Sequence, residues 1–232
     1  MKTIGIIGAL ENDIVGILHA MNDVKTEMYH NRFFYSGVIN KCYAVATSSG
    51  MGKVNASMTT QFLIDNYKVD MIINVGIAGS LNSSIHVGDI VISSDAIQHD
   101  VDLSIIGCPL GVIPKMRSSI FCADKNLINH VLKCCSEINL NSNTHLGRVA
   151  SGDQFIADIE KKQYINRNFT AQCVDMEGAS IAQTTTINNV PFILIKYISD
   201  NADSRASIEY KQKIEPSSLF FEKIINEVFN KL

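Results

Sequence analysis

The sequence lacks both the ligand spacings that hold metals and the runs that cross membranes. Its six cysteines, Cys42, Cys108, Cys122, Cys134, Cys135 and Cys173, include no CxxC pair, and its six histidines form no HExxH motif. Neither a zinc site nor a disulfide framework is indicated, and no metal or organic cofactor is expected. Such thiols read as buried side chains of a reducing compartment, which points to the cytoplasm. No apolar stretch approaches the roughly 20 residues of a membrane-spanning helix. The apolar run Ile4 to Leu10 is followed at once by Glu11 and Asp13 with no small-residue cleavage site, so it reads as a buried strand rather than a signal peptide. Lysine and arginine are scattered and the formal net charge is -3, which leaves no footprint for nucleic acid or an anionic membrane. No repeat, low-complexity tract or linker divides the chain. A small-molecule partner remains.

With 46% hydrophobic residues in 232 positions, the chain can bury a substantial core in a single domain spanning residues 1–232. Short β-branched runs alternate with segments of helical period, the pattern of an α/β fold on a mixed or parallel sheet. Ile4 to Gly8, Met71 to Val75, Asp89 to Ser93 and Pro191 to Ser199 read as strands, the last so apolar that both its faces should be buried. Ile14, Ile17, Leu18 and Met21 recur at helical spacing, which makes Gly8 to Asp13 a strand-to-helix turn. The stripe Phe221, Ile224, Ile225, Val228, Phe229, Leu232 predicts a closing helix. Between Asp100 and Lys115 an apolar segment is interrupted by Gly107, Pro109, Gly111 and Pro114. That oily loop suits a ligand lid or a subunit contact.

Ligands of open α/β sheets bind at the carboxyl ends of strands, and four such places carry polar residues: Gly8 to Asp13, Gly76-Ile77-Ala78-Gly79, Val174-Asp175-Met176-Glu177, and Ser199-Asp200. By position alone Asp13 favours a helix-capping role. Gly76 and Gly79 suit a tight turn. Ser49-Gly50-Met51-Gly52-Lys53 is also a turn, without the closing Ser/Thr of a nucleotide P-loop. Asp175 and Glu177 suit the start of a helix, where acidic groups meet the dipole. Asp200 ends a buried run, so desolvation would raise its pKa and let it act as an acid, although Ser199-Asp200-Asn201 also fits an Asx turn. His99 beside Asp100 reads as a polar loop histidine.

Taken in order, Ile4-Gly5-Ile6-Ile7-Gly8-Ala9, Ser49-Gly50-Met51-Gly52-Lys53-Val54-Asn55-Ala56, Ile72-Ile73-Asn74-Val75-Gly76, Ala78-Gly79, Val87-Gly88-Asp89, Ser151-Gly152-Asp153, Phe155-Ile156, Met176-Glu177-Gly178-Ala179 and Ile198-Ser199-Asp200 resemble the bacterial methylthioadenosine/S-adenosylhomocysteine nucleosidases of the purine nucleoside phosphorylase superfamily. The likeness runs essentially the whole chain. It implies a three-layer α/β/α fold on a central mixed, largely parallel twisted sheet. It also implies a homodimer in which Leu103, Ile106 and Pro114 complete the partner's pocket, and adenine thionucleosides as substrates. By the same resemblance Asp200, helped by Ser199, would protonate or hydrogen-bond N7 of adenine, while Phe155 stacks on the base and Ile156 binds it through its backbone. Met176 and Glu177 would hold the ribose as C1′ becomes oxocarbenium-like, and Met51 and Tyr210 would line the alkylthio end. Ala9, Ala78, Gly79 and Val174 fall among the substrate-facing positions.

The resemblance also exposes departures. The water-activating Glu of the family falls on Asp13, about 1.5 Å shorter in reach. A usual Ser is Ile77, a usual Arg is Lys196 and a usual Glu is Asp175. Lys196 would act as a point charge, without the planar fork of arginine. Two rivals stand beside hydrolysis. A phosphorylase would need cationic anchors, and only Lys53 and Lys196 are at hand; a non-catalytic binding module would leave the intact Glu177 and Asp200 without a purpose.

Overall fold

The computed structural model describes residues 2–138 and 142–232. Among the described residues ten strands form one mixed sheet with helices packed on it, the α/β architecture expected. Strands β1 (Thr3–Gly8), β4 (Cys42–Ser48) and β5 (Met71–Ser80) run parallel side by side. The hairpin of β2 (Asn22–Tyr29) and β3 (Arg32–Ile39) extends that edge in antiparallel register. Strand β5 also pairs in parallel with β10 (Phe192–Asp200) and, at its carboxyl end, antiparallel with the short β9 (Cys173–Asp175). The sheet then turns back on itself: β10 joins β6 (Ile90–Gln98), β6 joins β8 (Thr144–Ser151), and β8 joins β9. A short strand β7 (Ile120–Cys122) pairs with β6 outside this ring.

The strands read from sequence are where the burial is deepest. All nine residues of β10 are buried, as its apolar run demanded. Ile4, Ile6, Ile7, Ile72, Ile73, Ile193 and Ile195 are sealed in the main core, each contributing on the order of 1.5–3 kcal/mol by leaving water. A smaller cluster, including Ile97, Ala150, Ile156, Phe169, Val174 and Ala202, fills the space beside the ring's carboxyl ends.

Helices α1 (Glu11–His19), α2 (Lys53–Tyr67), α3 (Lys125–Glu137), α4 (Ile159–Phe169), α5 (Gly178–Ile187) and α6 (Ala206–Asn230) cover the sheet. The closing helix α6 starts well before the stripe that predicted it and carries Pro216 within it. It lies against α1, where a Cβ on Gly16 would stand 2.7 Å from the Ser218 carbonyl oxygen. That close approach brings the middle of α6 against the middle of α1. Residues 101–115 form the expected loop, with one 3₁₀ turn at Ser104–Ile106.

Candidate active site

The carboxyl ends of β1, β5, β8, β9 and β10 meet around one cavity of about 410 Å³. Ala9, Asp13, Met51, Ile77, Ala78, Gly79, Phe155, Ile156, Val174, Asp175, Met176, Glu177, Ser199, Asp200 and Tyr210 all line it. Lys196 does not: its side chain is buried behind the wall, paired with Asp175. Leu103, Ile106 and Pro114 lie on the loop and not on this chain's own cavity. Leu10, Gly76, Gln154, Ser207 and Lys211 also line the cavity without having been assigned to the substrate. The first three adjoin residues that were, while Ser207 and Lys211 flank Tyr210 on a stretch of α6 that the apolar stripe did not reach.

Asp13 sits in the first turn of α1 and is 2% exposed. Its Oδ2 accepts from the amides of Ala9 at 2.9 Å and Leu10 at 2.8 Å. It is therefore a helix cap, as its position suggested, and a cavity carboxylate as well; Oδ1 is unclaimed by these amides. Burial pushes its pKa up to about 6, against the Leu10 amide, the Lys196 ammonium and the Ala9 amide. Glu11, two residues earlier in the same turn, is exposed and does not line the cavity.

Glu177 precedes α5 and is 6% exposed. Its Oε1 accepts from the Gly52 amide at 2.7 Å. Burial first, and then the neighbouring Asp175 charge, push its pKa up to about 7, opposed by the Gly52 amide and by Lys196. Asp175 is the hub behind it. Its Oδ2 accepts from Lys196 Nζ at 2.7 Å and the Gly178 amide at 2.9 Å, and its other oxygen accepts from the Ser151 hydroxyl. Ser151 Oγ in turn accepts from the Ala179 amide at 2.7 Å. The first amides of α5 are thus satisfied by β8 and β9 side chains. Burial disfavours the Lys196 charge, but Asp175 and then Glu177 more than offset it and hold the ammonium above its usual range.

Asp200 lies at a bulge where the β10–β5 register shifts, so Ser199 has no partner in the ladder. Asp200 Oδ2 accepts from Ser199 Oγ at 2.7 Å and Oδ1 from the Ala202 amide at 2.9 Å. Burial raises its pKa in spite of these two donors. A Cβ on Gly79 would stand 2.9 Å from Asp200 Oδ1, so the glycine admits the carboxylate to the cavity wall. At the rim the Phe155 and Tyr210 rings meet edge to face, centroids 5.7 Å apart, and Phe155 is 49% exposed. Among the described residues no cluster of His, Cys, Asp and Glu has metal-binding geometry. Four buried carboxyls, Asp13, Asp175, Glu177 and Asp200, stand at a largely apolar cavity, and only Asp175 is paired with a lysine; such a site suits a neutral ligand on which positive charge develops during reaction.

Comparison with known proteins agrees over the full length. The sequence profile of the Phosphorylase superfamily matches residues 3–230. A 5′-methylthioadenosine/S-adenosylhomocysteine nucleosidase of Staphylococcus aureus is 35% identical over 230 residues, 99% of this chain and all of that protein. Among solved structures, the Helicobacter pylori 5′-methylthioadenosine/S-adenosylhomocysteine nucleosidase with butyl-thio-DADMe-Immucillin-A superposes with a TM-score of 0.95 at 31% identity, covering 100% of this chain and 99% of that one. A futalosine hydrolase mutant of the same organism superposes with a TM-score of 0.94 at 30% identity, covering both chains completely. The chain belongs to the 5′-methylthioadenosine/S-adenosylhomocysteine nucleosidases of the phosphorylase superfamily.

Proposed function

We propose that this chain hydrolyses the N-glycosidic bond of 5′-methylthioadenosine and S-adenosylhomocysteine, releasing adenine and the thioribose product. The observation that carries this reading is the convergence of Asp13, Glu177 and Asp200 on one cavity, each buried and each with its pKa raised. Asp200, steadied by Ser199, hands a proton to N7 so that adenine leaves as a neutral base. The C1′–N9 bond breaks and positive charge grows at C1′. Glu177 stands against the ribose hydroxyls, held by the Gly52 amide, and its negative charge favours that state. Asp13 is ionised at neutral pH and takes a proton from the water whose oxygen bonds to C1′. Phe155 and Ile156 embrace the base, Met176 the ribose, and Met51 and Tyr210 the alkylthio group.

A homodimer completes the pocket, with Leu103, Ile106 and Pro114 of the second copy closing a rim where Met51 and Phe155 stand half exposed. A cytoplasmic setting fits the six free thiols, and no described helix is long and apolar enough to cross a membrane. Phosphorolysis is disfavoured because, among the described residues, Lys211 is the single cation on the cavity lining and Lys196 is committed to Asp175.

The test is adenine release from 5′-methylthioadenosine with and without phosphate, for the wild type and for Asp200→Asn. The expected result is phosphate-independent release that falls by about 10²–10⁴-fold in the variant, the range for loss of a general acid. Near-normal turnover in the variant contradicts the assignment of Asp200.

A further inference from the structure

Outside the cavity wall a second charged cluster touches three separate stretches of chain. Lys53, the first residue of α2, sends its ammonium to Asp100 Oδ1 at 2.7 Å and to Gln98 Oε1 at 2.9 Å. Its backbone amide donates to Asp153 Oδ1 at 2.8 Å. The Asp153 amide donates to Asp100 Oδ2 at 3.0 Å, which closes the circuit. Lys53 and Asp100 are largely shielded, their side chains 19% and 18% exposed. Burial works against the Asp100 charge, and the Lys53 ammonium with the Asp153 amide overcomes it, holding the carboxyl below its usual range.

The residue this circuit grips is next to Gly52, whose amide is the hydrogen bond to Glu177. Gly52 has φ of +96°, a conformation that side-chain-bearing residues rarely adopt, and a Cβ there would meet Asp153 Oδ1 at 3.1 Å. A backbone so placed needs an external hold, since a turn in a sparsely populated conformation persists when its surroundings over-determine it. Arg32 supplies one side of that hold, donating to the Ser49 carbonyl at 2.8 Å and to Asn55 Oδ1 at 2.6 Å. The lysine circuit supplies the other.

We propose that Lys53, clamped by Asp100 and Gln98, is a positioning residue for the ribose carboxylate: it fixes the turn whose Gly52 amide anchors Glu177. The proposal rests on the hydrolytic reading of the cavity. It also joins that carboxylate to the start of the 101–115 loop and to the Ser151–Phe155 stretch, because Asp100 immediately precedes the first and Asp153 belongs to the second. Four charged or titratable neighbours act on Glu177 from other elements: Asp175 on β9, Lys196 on β10, Asp13 on α1 and Tyr210 on α6. Among the backbone groups, the Gly52 amide is the donor that favours the ionised carboxylate. Loosening the turn removes that preference and leaves burial and the Asp175 and Asp13 charges opposed by Lys196 alone.

The experiment compares the pH profiles of kcat and kcat/KM for 5′-methylthioadenosine in the wild type, Lys53→Met, Lys53→Arg and Asp100→Asn. Wild-type adenine release is the control: its absence sinks the hydrolytic reading itself. Given that release, Lys53→Met and Asp100→Asn should each lower kcat at least tenfold at neutral pH, more than they raise KM, because the carboxylate matters most when charge has formed at C1′. The acid limb should move to higher pH in both, and Lys53→Arg should recover most of the rate. The double variant should be no worse than the worse single, since both cut the same link. An unmoved acid limb, or a rise in KM alone, overturns the proposal. So does a Lys53→Met protein that merely melts earlier while its kcat at 25 °C is unchanged.

Discussion

Asp13 holds two roles that pull against each other. As a cap it gives Oδ2 to the amides of Ala9 and Leu10; as a base it needs a free oxygen and an ionised state. Its short side chain reconciles them, since the turn is built at aspartate length. Asp13→Asn keeps an amide oxygen for the cap and discards the base. It should leave the melting temperature nearly unchanged and cut kcat/KM by about 10²–10⁴-fold. Asp13→Glu keeps the carboxylate but moves it by about 1.5 Å, so it should lose about a hundredfold in rate and about 1 kcal/mol of capping. Thermal melts and steady-state rates on the two variants separate these effects; an active Asp13→Asn enzyme would remove Asp13 from the chemistry. The pH dependence has a definite sign. The pKa values of about 6 for Asp13 and about 7 for Glu177 lie above the ordinary carboxyl range. Activity that needs both ionised should therefore fall on the acid side as pH drops through 7 to 6, while the need for a protonated Asp200 sets the alkaline limb. Stability runs the other way. The folded state holds these protons more tightly than the unfolded chain, so their contribution is greatest below about pH 4 and is lost as pH rises through 6 to 7.

At the scale of elements, β10 and β9 are joined by one buried ion pair that also holds the start of α5. Lys196 on β10 neutralises Asp175, and Asp175 with Ser151 satisfies the first amides of α5. Removing one partner leaves the other charge buried and alone, so Lys196→Met should cost about 3–5 kcal/mol in chemical denaturation. A loss below 1 kcal/mol would show that water reaches the pair. This pairing also marks the limit of what the sequence discloses. The strands β1, β5 and β10 are legible because their apolar runs are long, and Asp13 and Asp200 are legible because they stand where those runs end. Strand β2 is not legible, since every one of its residues is exposed and no alternation survives. Helix α2 buries Ala56, Thr59, Thr60 and Leu63 while exposing Val54 and Met58, which erases the amphipathic stripe. The move of Lys196 from cavity wall to buried strut depends on a contact between strands distant in sequence, and no local pattern encodes it.

For the molecule as a whole, the apolar side chains left on the surface are informative. Met51, Val54 and Met58 line the start of α2, and Ile105 and Ile106 project from the loop at 95% and 70% exposure. Exposed groups of this kind mark association surfaces. Sedimentation should give twice the 25.6 kDa chain mass, and Ile106→Glu should weaken the dimer and lower kcat/KM together. A fully active monomer would contradict the shared pocket. Hydrolysis itself is tested most directly by running one turnover of 5′-methylthioadenosine in ¹⁸O-labelled water, in phosphate buffer, and weighing the sugar product. The account predicts free methylthioribose carrying one ¹⁸O at C1′, formed at the same rate without phosphate. A ribose 1-phosphate with no label would contradict it.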